Sequence, residues 1–293
     1  MGSLLFEVLP SLLGGMLLGW RWPALPSWLA PLLVRWGVPL SVAALLLRSS
    51  LSLSLLKVAL VAILVPLLSL GILLGVAPFR HRLKEPVLIL GAAVGNTGYW
   101  GLPVALALMP PSAMAAAVVY DVAGTLITWS AGPLILLGAQ GGHASPFSTL
   151  LVSPAMQGLF LALLIHLSPW TDPLASALWW PARAVLLIAL GVLGMRLGLI
   201  LRHGSFPVPP GLPYALVFKL FVIPVLVGLL GKALALSALD RQALVLQGAA
   251  PTALSVLLMA EANQEAEPVA SALVISSTLA AMVTVPLWWG FLQ

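Results

Sequence analysis

The sequence predicts an all-α integral membrane protein of ten transmembrane helices. They form two inverted five-helix repeats, with helices 4 and 9 broken where they cross. Three observations carry this expectation. First, 61% of the 293 residues are hydrophobic and 7% are charged, whereas soluble domains average about 25% charged. The apolar residues come in runs of about 20, the length a helix needs to span a bilayer. They do not alternate with polar residues as β-barrel strands would. Second, the two halves of the chain carry the same punctuation at corresponding places. Third, one run in each half is interrupted near its middle by residues that end helices.

The ten runs are Leu4–Trp20, Trp28–Arg48, Leu51–Val76, Pro86–Met109, Ser112–Gly138, Leu150–Leu167, Leu174–Leu201, Leu212–Leu236, Arg241–Ala262 and Val269–Leu292. The first has no basic leader and no small-residue cleavage site, so it is expected to be a retained span. The connections are short. The one linker-like stretch, Ala139-Gln140-Gly141-Gly142-His143-Ala144-Ser145-Pro146, falls near the midpoint and is rich in turn formers. It divides the chain into a first repeat at 1–138, a connector at 139–149 and a second repeat at 150–293.

The repeat is visible in spacing. Thr125-Leu126 precedes Pro133-Leu134 by six residues in run five, and Thr278-Leu279 precedes Pro286-Leu287 by six in run ten. Pro10 precedes Gly14 by four in run one, and Pro154 precedes Gly158 by four in run six. Five spans is an odd number, so the second copy enters the membrane from the opposite side. That is the inverted repeat found in many secondary transporters.

Run four contains Gly95-Asn96-Thr97-Gly98-Tyr99-Trp100-Gly101-Leu102-Pro103. Gly and Pro cost a helix roughly 1 and 3 kcal/mol relative to Ala. Backbone freed by a break survives in hydrocarbon only where protein or a wet cavity covers it. Run nine contains Gly248-Ala249-Ala250-Pro251-Thr252-Ala253 at the matching place. Two such breaks bring four half-helix ends together. N-terminal ends suit an anion, and C-terminal carbonyls suit a cation.

The candidate substrate-binding residues are therefore Asn96, Thr97, Gly98, Tyr99, Ala250, Pro251, Thr252 and Ala253. Asn96 offers both a donor and an acceptor at the break. Asp121 lies about ten residues into run five, about 15 Å along a helix, and an intramembrane carboxylate reads as an ion-coupling group for H+ or Na+. Lys219 is a candidate counter-charge. Arg183 is expected to snorkel to the surface. Gln157 and Gln247 read as helix-to-helix hydrogen-bonding groups. Trp100, beside the break, either lines a cavity or packs on a neighbour. Trp20, Trp22, Trp28, Trp170, Trp179, Trp180, Trp288 and Trp289 fall near run ends, as interfacial belts do.

Other chemistry lacks its parts. There is no cysteine, and no HExxH, P-loop or GxSxG motif. No enzyme activity, cofactor or metal is expected. The four histidines fall in loops or at run ends, where solvated side chains are expected. The net charge of +5 reflects inner-leaflet anchoring rather than nucleic-acid binding, because no basic cluster exceeds Arg80–Lys84. That cluster, with Arg21 and Arg202, places the termini on the non-cytoplasmic side.

Asn96-Thr97-Gly98-Tyr99 with Gly101 and Pro103 resembles the fourth-span motif of the auxin efflux carrier family. Ala250-Pro251-Thr252-Ala253 through Glu261, then Ala270-Ser271-Ala272 and Thr278-Leu279, resemble that family's ninth and tenth spans, and Tyr120-Asp121 its fifth. The resemblance implies a ten-helix transporter with crossed, broken helices, related in fold to bile-acid/sodium symporters. Its short central loop is similar to that of bacterial members, which implies a bacterial inner or plasma membrane. The chain departs from the plant carriers, whose breaks place asparagines around a proline: here Asn96 lacks that proline and Pro251 lacks asparagine. The resemblance is compatible with a homodimer.

The expected function is alternating-access transport of a small organic anion, an auxin-like or malate/malonate-like mono- or dicarboxylate. The expected partners are that anion and membrane lipid, with no nucleic acid. The alternative is a membrane ligand sensor on the same fold that does not transport.

Overall fold

The structure is a computed structural model, and it describes residues 7–48, 53–137, 154–203, 208–261 and 267–293. Among these residues the chain is all-helical in its elements, with no strand. The Ala139–Pro146 linker lies outside them.

In chain order the helices are α1 (Leu9–Arg21), α2 (Leu25–Leu47), α3 (Ser54–Gly75), α4 (Ala77–Arg82), α5 (Pro86–Ala93), α6 (Leu102–Leu108) and α7 (Met114–Leu137). Then come α8 (Pro154–His166), α9 (Thr171–Ala177), α10 (Trp179–His203), α11 (Leu212–Ala233), α12 (Ala238–Gly248), α13 (Leu254–Glu261) and α14 (Glu267–Leu292). Six described helical stretches are long and apolar enough to cross a membrane: α2, α3, α7 with the turn before it, α10, α11 and α14. Of the other predicted runs, α1 and α8 have 13 residues each, and runs four and nine are each divided into two pieces.

Proline sets many of the boundaries. It stands in the first turn of α1, α2, α4, α5, α6 and α11, where its missing N–H costs nothing. Three π-helical turns, Leu33–Gly37, Thr97–Gly101 and Phe218–Val222, each end two residues before a proline: Pro39, Pro103 and Pro224. A proline inside a helix cannot donate to the carbonyl four residues back and clashes with it, and widening the preceding turn relieves the clash. The carbonyl that Pro224 leaves free, that of Leu220, is taken by the Trp288 indole N–H at 2.8 Å. Trp288 thus fills a hydrogen-bonding role beyond the interfacial one.

The chain forms two compact units. One contains α1, α2, α6, α8, α9 and α10; the other contains α3, α4, α5, most of α7, and α11 to α14. The chain passes from the second unit to the first at Thr97–Gly98 and back at Val118–Val119. Each unit draws on both halves of the sequence.

In the first unit α1 packs along α10, and α2 along α8. The α1–α10 seam is made of glycine. A Cβ at Gly15 would lie 2.1 Å from the Gly191 carbonyl oxygen, and one at Gly19 would lie 2.0 Å from that of Met195. From the other helix, a Cβ at Gly194 or Gly198 would lie 2.1 or 2.0 Å from the carbonyl oxygens of Leu12 or Met16. In lipid, where hydrophobic exclusion does not hold helices together, such close backbone approach supplies the packing. Gly158 does the same for α8, facing the Pro39 carbonyl.

Two arginines near helix ends in this unit have identified partners. Arg183 pairs with Glu7 and lies over the Trp180 ring, so it is an ion-pair partner and not a free snorkelling cation. Arg48 donates to the Ala175 carbonyl at 3.2 Å and stacks over Trp179. Trp20, Trp22, Trp28, Trp170 and Trp180 are all exposed.

The seam gives a stability prediction. Gly19→Leu overpacks backbone against backbone and should cost 3 kcal/mol or more, above the usual ~1–3 kcal/mol of overpacking. Gly14→Ala, with nothing within 4 Å of the new Cβ, should stay within about 0.5 kcal/mol. Thermal melting of the detergent-solubilised variants reads the difference.

Candidate functional site

The site is built on two helix interruptions in the second unit. Helix α5 ends at Ala93, and Val94 turns extended, with φ −114° and ψ 144°. Helical structure resumes at Thr97. In the other interruption α12 ends at Gly248, and α13 begins at Leu254.

The two extended segments pair with each other. The Asn96 N–H donates to the Pro251 carbonyl at 2.7 Å, and the Ala253 N–H to the Val94 carbonyl at 3.3 Å. Between these bonds Gly95 faces Thr252 in an antiparallel bridge. The two bonds interchange under a local two-fold that swaps Gly95 with Thr252. Each break therefore supplies the partners that the other lacks. Without that exchange, each idle peptide group would cost several kcal/mol in an apolar medium. Pro251 suits its place because the pairing uses only its carbonyl.

Side chains complete the network. The Thr252 hydroxyl donates to the Gly91 carbonyl at 3.0 Å, and the Thr252 N–H donates to the Ser277 hydroxyl at 3.1 Å. Ser277 in turn donates to the Val274 carbonyl. Gly91 has no room for a side chain, since a Cβ would lie 2.4 Å from Leu273 Cδ2 and 3.0 Å from Thr252 Cγ2. The Lys219 ammonium donates to the Gly248 carbonyl at 2.7 Å. The Thr97 hydroxyl donates to Asp121 Oδ1 at 2.5 Å, and both residues are buried.

Four buried side chains, Asn96, Trp100, Gln247 and Thr284, have polar atoms without a hydrogen-bond partner among the described residues. Asn96 is 4% exposed and Gln247 is fully buried. Asn96 Nδ2 and both amide atoms of Gln247 have no hydrogen-bond partner among the described residues. Gln247 is thus not the helix-to-helix bonding group that its sequence position suggested. Buried polar atoms are usually satisfied, and the idle Asn96 amide is next to the helix restart at Thr97. Gln157 is exposed.

Of the predicted residues, Asn96, Thr97, Asp121, Lys219 and Ala250 to Ala253 all belong to the second unit. Gly98 and Tyr99 belong to the first, where Tyr99 packs against the cluster of Ala30, Leu33, Ala189 and Val192. Trp100 is buried with its Nε1 unpartnered. Ser277 and Gly91 were not singled out from sequence, and Gln247 was singled out only as a helix-to-helix bonding group. The only hint was a Ser-Ser-Thr run at 276–278 within an apolar helix.

The helical spans and the paired interruptions describe a multi-pass membrane protein of the transporter class. A family model described as membrane transport protein matches residues 41–289. The chain belongs to that family, the auxin efflux carrier family of membrane transport proteins. An uncharacterized transporter from Methanothermobacter thermautotrophicus is 26% identical over 208 residues, which cover 69% of this chain and 66% of the relative, just under two thirds of its length.

The Thr252 network predicts its own cost. Ser277→Ala strands the buried Thr252 N–H and should destabilise by about 1–3 kcal/mol. Thr128→Val removes only a hydroxyl that bonds back to its own helix at Gly124, and should cost well under about 1 kcal/mol. Thermal melts of both variants against wild type check the contrast.

Proposed function

We propose that this protein is a secondary transporter that moves a small organic anion by alternating access, with the anion held where the two interrupted helices pair. The observation that carries the reading is the idle Asn96 amide. It is next to the helix restart at Thr97, and across the pairing from the restart at Leu254. Helix N-termini present unpaired N–H groups and positive dipole ends. With a carboxamide donor added, this donor set suits a carboxylate. Thr97 and Ala250 to Ala253 are the candidate contacts around it, with Lys219 as counter-charge.

The proposed architecture is the ten-helix inverted repeat. Its support is a contact that recurs. If run one matches run six and run two matches run seven, then α1 on α10 and α8 on α2 are the same contact seen twice. In the second unit, Gly91 of run four faces Leu273 of run ten, and Gly132 of run five faces Met259 of run nine. These contacts also exchange under the repeat, as do the two backbone bonds of the pairing. Asp121 is the proposed coupling group, for H+ or Na+. The proposed setting is a bacterial inner or plasma membrane, with the termini on the non-cytoplasmic side.

Flux in proteoliposomes tests the proposal, with a panel of labelled mono- and dicarboxylates. Asn96→Ala should lower flux about 10- to 100-fold, the loss of one hydrogen bond to a charged group. Its melting point should move by no more than about 2 °C, since Nδ2 has no protein partner to lose. Unchanged flux in both Asn96→Ala and Pro251→Ala would sink the site assignment. Ligand-induced stabilisation without flux would point to a sensor.

A further inference from the structure

Lys219 lies in the π-helical turn Phe218–Val222 of α11, and its side chain is 1% exposed. It is seven residues beyond Leu212, roughly 10 Å into the helix at 1.5 Å per residue. Its ammonium donates to the carbonyl of Gly248, the last residue of α12. It also rests against the other interruption: a Cβ on Gly95 would lie 3.1 Å from Nζ and 3.3 Å from Cε. A side chain at 95 would crowd the charged end. No carboxylate pairs with Lys219 among the described residues, where the ion pair found is Arg183 with Glu7.

A buried cation with no anion beside it is costly, so its position needs a compensating field. The C-terminal end of a helix supplies one, through carbonyls equivalent to about half a negative charge. In transporters with broken helices, such carbonyl ends are where a mobile monovalent cation is held. Lys219 delivers a cation to that kind of place on a covalent stem.

We propose that the Lys219 ammonium is a tethered cation. It fills the position at the carbonyl end of α12 that a dissociable monovalent ion would otherwise occupy. Given the anion-carrier reading, on which this last step rests, anion loading at the pairing then needs no exchangeable cation at that position.

The test is the melting point of the full chain in detergent, in choline, sodium, potassium or methylammonium chloride at equal ionic strength. Wild type sets the baseline, because Asp121 is itself a proposed Na+ position; choline, potassium and methylammonium should give it one melting temperature. Lys219→Ala should melt about 5 °C or more lower in choline, and methylammonium or Na+ should restore at least half of the loss saturably. Lys219→Gln keeps a donor and most of the volume without the charge. It should fold and show a saturable Na+-dependent rise larger than any in wild type. A Na+-dependent rise in Lys219→Gln no larger than that of wild type overturns the proposal, and so does failure of methylammonium and Na+ alike to restore Lys219→Ala. None of these measurements reads flux. Wild type that moves no anion but keeps the salt pattern would sink the carrier reading alone, and normal flux with the pattern absent would sink the tethered cation alone.

Discussion

The structure depends on one exchange of hydrogen bonds, Asn96 N–H to Pro251 C=O and Ala253 N–H to Val94 C=O. A peptide group in hydrocarbon cannot fall back on water, so an interrupted helix in a membrane needs a partner with matching donors and acceptors. Here the partner is a second interrupted helix. The pairing fixes the register of the two extended segments against each other. Gly91, Gly95, Thr252 and Ser277 follow from that register. Two are glycines: at 91 the Leu273 side chain occupies the space of a Cβ, and at 95 the Lys219 ammonium lies close to it. The other two are hydroxyl residues, because Thr252 brings one more N–H and its own O–H to be satisfied.

The same accounting recurs away from the pairing. Pro224 frees the Leu220 carbonyl, and Trp288 takes it from another helix. Arg48, at the end of α2, finds the Ala175 carbonyl and the Trp179 face. Arg183 finds Glu7. Where no polar group needs a partner, as along α1 and α10, glycine lets two backbones meet directly. Each local irregularity has an identifiable partner, which is how a chain with so many prolines and glycines keeps long helices.

Much of this was legible in the sequence. Hydropathy runs mark helices because bilayer thickness sets their length. Gly95, Asn96 and Pro251 mark breaks because their backbone costs are intrinsic to residue type. What was not legible depends on azimuth, on which side of a helix faces what. Arg183 reads as a snorkelling cation until Glu7, 176 residues away, proves to be beside it. Gln247 reads as a bonding group, yet its neighbours offer it nothing. The glycines of α1 and α10 share short spacings, but spacing alone does not say which two helices they join. Lys219 is seven residues beyond Leu212 and shares its buried face, but periodicity does not say that the carbonyl it meets there is that of Gly248.

The backbone at the pairing has a local two-fold, but its side chains do not. The two-fold sets Asn96 against Ala253 and Gly95 against Thr252. Only the first segment carries a carboxamide there, and only the second carries a hydroxyl, which is already spent on the Gly91 carbonyl. Charge follows the same division. Asp121 meets the restart at Thr97, whereas Lys219 meets the stop at Gly248. A duplicated fold supplies two equivalent frames, and an asymmetric ligand needs them made inequivalent. Four positions suffice to do so here: a donor with no protein partner and an acid on one frame, a satisfied hydroxyl and a base on the other. On the anion-carrier reading, the symmetric backbone fixes where the ligand sits, and these four side chains fix which way round it lies.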